Sequence, residues 1–292
     1  HLTPFVDEYI DYIPLADIKE HRKKVDAIVV GSDQIWRPSY QGHDFIFFLD
    51  FLPEKTDIKR IAYAASFGTD QWEYTEEETR RSAALIARFD LVSVRESSAV
   101  ELCRRHWNIP SHVVLDPTLL LEPEEYIRLT RGIDDTPAEE GLFYYFLDAT
   151  DQKMDYVHNV SEKLGLRPFQ LKPTVPHIKR KKYKGCLFRE ASVATWLHSF
   201  HRAKFILTDS FHGCVFSIIF NKPFYVIGNK RRGMARFDSL LKLFGLEDRL
   251  IDISETGTHP IDTDIDWDTV NAIRKEKKNT SFMLLHEALQ NK

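Results

Sequence analysis

The sequence predicts an α/β protein of two domains, each a parallel sheet covered by helices. Three observations carry this. Short apolar runs alternate with helical segments along most of the chain, which is the pattern of βα units. Runs such as Asp26-Ala27-Ile28-Val29-Val30 have a β-branched, unbroken apolar body, as expected of strands buried on both faces. The length, 292 residues, suits two domains better than one.

Taken in order, residues 1–24 are an opening segment with a helix expected around Leu15–Lys24. The first strand ends in the polar turn Gly31-Ser32-Asp33-Gln34, and the second, Arg60–Ala65, in Ser66-Phe67-Gly68. Thr75-Glu76-Glu77-Glu78 is a capping box that opens a helix running to about Phe89. Asp90–Val94 is a third strand, closed by Arg95-Glu96. A helix is expected over 97–106, and a fourth strand, His112–Leu115, stops at Asp116-Pro117. Residues 122–140 hold Pro123, Gly132, Pro137 and a run of carboxylates, a linker composition. A new βα series begins at Gly141: strand Leu142–Leu147 with a helix through Leu164, a basic loop over Pro173–Gly185, and helix Ser192–Phe200. Strands Lys204–Leu207 and Pro223–Ile227 follow, then a short helix Leu240–Phe244 stopped by Gly245. Trp267–Gln290 is a long helical pattern placed to pack back across the domains. The expected domains are therefore residues 1–130, incomplete at the start, and 131–265, with 266–292 as a closing helix.

Composition excludes several classes. Hydrophobic residues make up 43% and aromatics 12%, enough for packed cores. With 40 basic and 44 acidic residues the net charge is −4, which argues against a dedicated nucleic-acid binder. Cys103, Cys186 and Cys214 are scattered, so neither a disulfide framework nor a structural zinc site is expected, and a reducing, cytoplasmic setting fits. No apolar run approaches the ~20 residues needed to span a bilayer. GxGxxG, GxxxxGK[ST], HExxH and GxSxG are all absent.

The chain is organised around Ile206–Phe220, a strand, a tight turn and a helix start with an imidazole at the turn. In open α/β sheets ligands bind at the carboxyl ends of strands, and free amides at a helix start suit an anion. His212 is the acid/base candidate, its ordinary pKa lying nearest neutrality; the plainer reading is a histidine bonded to the turn. Arg95 follows a buried strand and can offer a planar fork to a carboxylate or phosphate; an ordinary ion pair weighs about equally. Ser32, Asp33, Ser66, Asp209, Ser210 and Gly213 share these strand ends, although Asx side chains also shape turns by themselves. The basic turn after Ile227 adds Asn229, Arg232 and Arg236, against a solvated loop as the alternative. The Lys179–Lys184 cluster reads as a solvated face, with contact to anionic lipid headgroups as the sharper option.

Four stretches together, Val30-Gly31-Ser32-Asp33-Gln34-Ile35-Trp36, Tyr63-Ala64-Ala65-Ser66-Phe67-Gly68, Ser93-Val94-Arg95-Glu96-Ser97 and Thr208-Asp209-Ser210-Phe211-His212-Gly213, resemble the polysaccharide pyruvyl transferase family in the family's order. The resemblance implies two Rossmann-like domains in a GT-B-like arrangement, with the active site between an acceptor-side first domain and a donor-side second. It implies transfer of a carboxyethylidene group from phosphoenolpyruvate to two hydroxyls of a sugar or lipid-linked oligosaccharide, forming a ketal. No metal or cofactor beyond the donor is expected, and work at the inner face of the membrane fits a lipid-linked acceptor. Carried over by position, His212 is the catalytic histidine and Arg95 the substrate-binding arginine. One departure stands out: relatives carry an arginine two residues before the histidine, where this chain has Ser210, so Arg232 or Arg236 is expected to replace it.

Ketal formation needs a proton at C3 of the donor, leaving positive character at C2 for a hydroxyl to attack. A helix start lowers an imidazole's pKa, and a bound dianion reverses that, so His212 is expected to become an acid once the donor is bound. Two other readings remain: a GT-B glycosyltransferase with a nucleotide-sugar donor, and a non-catalytic sugar-binding member.

Overall fold

In a computed structural model the described residues are 25–41, 45–131, 140–171, 192–228, 233–253 and 260–290. The helix expected at 15–24, the loop at 173–185 with its basic cluster, and Asn229 and Arg232 lie outside them. Chain contacts divide the protein into two units. The first comprises the described residues of Ile13–Leu120, Asn229–Glu247 and Asp268–Lys292; the second those of His1–Tyr12, Leu121–Gly228 and Asp248–Trp267.

The first unit holds a parallel sheet in sequential order: β1 (Ala27–Val30), β2 (Lys59–Ala65), β3 (Leu91–Val94) and β4 (His112–Val113). β3 is buried along its length and β2 nearly so, which is why both are apolar without alternation. Helix α1 (Glu76–Ile86) starts at the expected capping box, with Thr75 and Glu78 each bonding the other's backbone amide, worth about 1 kcal/mol. Helix α2 (Ser97–Leu102) is shorter than expected, because the chain changes to a π-turn over Cys103–Trp107. That turn places Trp107 against Trp36, Phe48, Phe67 and Trp72 in an aromatic core.

The second unit has the strand order β6-β5-β7-β8-β9, all parallel, from β5 (Leu142–Tyr145), β6 (Pro168–Phe169), β7 (Phe205–Thr208), β8 (Phe224–Ile227) and β9 (Leu250–Ile251). Between β5 and β7 the winding reverses. After β5 the chain passes through α4 (Asp151–Leu164) to β6 on one side; α5 (Val193–Arg202) leads into β7, and after β7 the chain passes through α6 (Phe211–Ile219) to β8 on the other. Such a switch point is where doubly wound sheets take ligands, at the strands' carboxyl ends.

Two boundaries differ from expectation. The stretch read as a linker contains helix α3 (Pro123–Arg128), with proline in its first turn, and belongs to the second unit from Leu121. Its Tyr126 is buried against Phe216 and Phe220, an aromatic anchor inside an otherwise acidic stretch. The described residues 233–247, expected in the second domain, belong to the first unit. Helix α7 (Ala235–Phe244) begins five residues earlier than the apolar run indicated, buries Phe237, Leu240, Leu241 and Phe244, and ends at left-handed Gly245. The closing helix α8 (Trp267–Gln290) keeps its expected span; from Asp268 it lies in the first unit, with Ser281 Oγ accepting the Leu115 amide at 3.1 Å. Among the described residues no helix is long and apolar enough to cross a membrane.

Candidate functional site

The chemistry-bearing residues fall into two corners, one in each unit. In the first, buried β3 delivers Arg95 at the sheet's carboxyl edge. Its Nη1 donates to Oδ2 of Asp116 at 2.7 Å, and both side chains are buried. Asp116 is itself held, its Oδ1 accepting from the amide (3.0 Å) and hydroxyl (2.6 Å) of Thr118. On the other side Nη2 donates to Oδ1 of Asp33 at a long 3.4 Å. The guanidinium is thus fixed by a buried carboxylate and only loosely held by an exposed one.

The neighbour Glu96 is fully buried. Its Oε1 accepts from Ser66 Oγ (2.9 Å), Phe67 N (2.8 Å) and Gly68 N (2.9 Å), so a nest of donors at the end of β2 is filled by the protein's own carboxylate. Ser66, expected to touch substrate, is instead buried and bonded to Glu96. Gly68 and Gly233 meet backbone to backbone: at Gly233, with φ +90°, an added methyl would lie 1.8 Å from the Gly68 carbonyl oxygen. One turn into α7, Ser239 Oγ accepts the Ser97 amide at 2.9 Å. Arg236 lies one helical turn before Ser239 on the same face, hence beside Arg95 and Glu96. Its guanidinium is buried, and burial followed by the charge of Arg95 lowers its pKa to about 10, leaving it a cation at neutral pH.

The second corner is the β5/β7 switch point. Asp209, fully buried, accepts from Leu147 N (2.6 Å), Asp148 N (3.1 Å) and Lys153 Nζ (2.5 Å), tying the ends of β5 and β7 to the first turn of α4. Lys153 Nζ also donates to the Asp148 carbonyl at 2.8 Å. Ser210 is the N-cap of α6, its hydroxyl facing the Gly213 amide at 3.4 Å. Gly213 is required by contact, since a Cβ there would lie 2.2 Å from Thr208 Oγ1. Asp209, Ser210 and Gly213, expected to bind substrate, each make contacts within the turn itself. They hold His212, second residue of α6 and half-buried, with its ring 5.5 Å from that of Phe211.

Sequence reasoning missed Asp116, the triple role of Glu96, and Lys153. Asp116 carried a signal, an acid directly after a strand. Lys153 carried none, because a lysine three residues into a helix ordinarily points to water.

Parallel sheets with charged groups gathered at their carboxyl edges define an α/β protein of the kind that takes ligands at its strand ends. The family model for polysaccharide pyruvyl transferase matches residues 2–231, and the chain belongs to that family, whose members are transferases acting on polysaccharide. Curated proteins yield no match in sequence. Solved structures similar to it include the wall teichoic acid polymerase TagF in its H548A form, at 12% identity and TM-score 0.41, over 82% of this chain and 70% of that one. Another is the glycotransferase of kitacinnamycin, at 14% identity and TM-score 0.44, over 94% of this chain and 78% of that one.

Proposed function

We propose that this protein transfers a carboxyethylidene group from phosphoenolpyruvate to two hydroxyls of one sugar in a polysaccharide or its precursor, releasing phosphate. Membership of the family supports the reaction class, and the setting of Arg95 carries the donor. A planar guanidinium fork matches a carboxylate bidentately. Arg95 is braced from behind by Asp116 at 2.7 Å, while its contact with Asp33 is long enough to yield to an incoming carboxylate. Arg236, a second buried cation beside it, is the group we assign to the donor's remaining charge in place of the arginine absent at Ser210.

In this reading His212 donates the proton to C3, and the positive end of α6 favours the departing phosphate. Beyond phosphoenolpyruvate and the acceptor sugar, this chemistry calls for no further reactant. The test is phosphate release from phosphoenolpyruvate in the presence of sugar diols, followed by 31P NMR. Acceptor-dependent phosphate release supports the proposal. Release of nucleotide from nucleotide sugars, with phosphoenolpyruvate inert, rejects it.

A further inference from the structure

We propose that the amino edge of the second sheet carries an oxyanion site, built from Lys222, Lys204 and Arg202, that takes a phosphate group. It lies at the opposite end of that sheet from Asp209 and His212, about 13 Å away along four-residue strands.

Three segments from distant parts of the chain meet there. Glu140 stands before β5, Lys204 directly before β7, and Lys222 between α6 and β8. The Lys204 amide donates to the Gly141 carbonyl at 2.9 Å, and the Ile206 amide to the Pro223 carbonyl at 3.0 Å, which holds the three segments side by side. Arg202 is the last residue of α5.

Positive charge accumulates at this edge. Glu140 serves two cations at once: Arg202 Nη2 donates to its Oε1 at 2.6 Å and Lys204 Nζ to its Oε2 at 2.9 Å. Lys222 is half-buried, and among the described residues its ammonium makes no hydrogen bond or ion pair. Burial, followed by the charges of Lys204 and Arg202, lowers its pKa, with Glu140 opposing. The same charges reach α5, where burial and then Lys222 lower His201, and burial and then Arg202 lower His198. Helix ends explain part of the arrangement, since Arg202 and His201 suit the negative end of α5. They do not explain the Lys222 side chain. Its amide closes α6 on the Ser217 carbonyl at 2.9 Å, while its ammonium caps no carbonyl among the described residues.

The charge names the ligand. Three cations against one carboxylate leave two positive charges uncompensated, and a phosphate group carries roughly −1.5 to −2 near pH 7 with three acceptor oxygens. A guanidinium fork with point-charge ammonium groups is the donor set that phosphate recognition uses. Free phosphate and a phosphate ester on a sugar present this same group.

Competitive acetylation of the full chain with trace acetic anhydride, quantified for each lysine by mass spectrometry, tests the site. The probes are inorganic phosphate and glucose 1-phosphate, each against sodium chloride of equal ionic strength, with exposed Lys163 of α4 as the reference. For a millimolar Kd, roughly 10 mM probe should cut labelling of Lys222 and Lys204 about tenfold and leave Lys163 unchanged. Either probe protecting supports the site, and the one that protects at lower concentration names the source. Glu140 is open to solvent, so Glu140→Gln should fold, and with a competing carboxylate gone it should bind phosphate about two- to fivefold tighter. Lys222→Gln should remove the protection of Lys204. No protection beyond that of chloride overturns the proposal, as does equal protection of Lys163 or full protection of Lys204 in Lys222→Gln. The readout involves no turnover, so it is independent of the reaction proposed above.

Discussion

The hydroxyl of Ser66 donates to Oε1 of Glu96 across 2.9 Å, joining the end of β2 to the end of β3 inside the first unit. The same oxygen also takes the amides of Phe67 and Gly68. Glu96→Ala would strand all three donors in the interior, at about 1–3 kcal/mol each before relaxation. We expect a loss of about 3–5 kcal/mol in urea unfolding. Glu96→Gln keeps an acceptor oxygen and should lose less than half as much. A loss from Glu96→Ala below about 1 kcal/mol would show that the loop is held by something else.

Lys153 and Asp209 make the corresponding tie in the second unit, at 2.5 Å and out of water. Removing one member of a buried pair leaves a bare charge, so Lys153→Met should cost about 3–5 kcal/mol. Replacing both with apolar residues should cost clearly less than the sum of the single changes, although Leu147 and Asp148 would still lose their acceptor. A double-mutant cycle by denaturant unfolding measures the coupling; additive losses would mean the two charges do not depend on one another.

The buried thiols set an alkaline limit on the first unit's neighbourhood and on the second's. Burial pushes Cys103 up to about 12 from an ordinary 9, and Cys214 higher still. Tyr63 is also pushed up to about 12 by burial. The unfolded chain releases these protons first, so their contribution to stability is whole below about pH 9 and declines as pH rises from there toward 12. Urea midpoints should therefore fall between pH 8 and pH 10.5. Both thiols should react with a disulfide reagent only as the protein unfolds, and fast native-state labelling of Cys103 or Cys214 would contradict their burial.

His212→Ala should reduce acceptor-dependent phosphate release at least 10²-fold, the usual scale for a lost proton donor, with the circular dichroism spectrum unchanged. The turn that carries His212 is held by Asp209 and Ser210, so the fold should tolerate the change. An NMR titration of the wild-type imidazole should show its pKa rising when phosphoenolpyruvate is added, because a dianion stabilises the imidazolium. No rise on saturation with donor would remove His212 as the acid.

The positions of Arg95 and His212 at strand ends were legible because a buried parallel strand is a short apolar run, and the first polar residues after it mark its carboxyl edge. The same rule named Ser66, Asp209 and Ser210, whose side chains bond the protein's own groups. At a strand end a polar side chain either faces a ligand or satisfies the turn's own backbone, and the one-dimensional pattern is identical for both. The partners that Ser66 and Asp209 have, Glu96 and Lys153, come from distant points in the chain.

By itself the sequence determined the parallel-sheet class, seven of the nine described strands (not β6 or β9), the capping box at Thr75 and the span of the last helix. These depend on periodicity and on neighbours a few residues apart. Tertiary structure alone decided that the described residues 233–247 belong with the first sheet, that Arg236 lies beside Arg95, and that the Asp33 side chain paired to Arg95 is largely exposed. The physical reason is that burial and pairing of charges are set by which segments meet. Here they meet across more than a hundred residues, through contacts as local as a glycine against a carbonyl, and no window of sequence holds both partners.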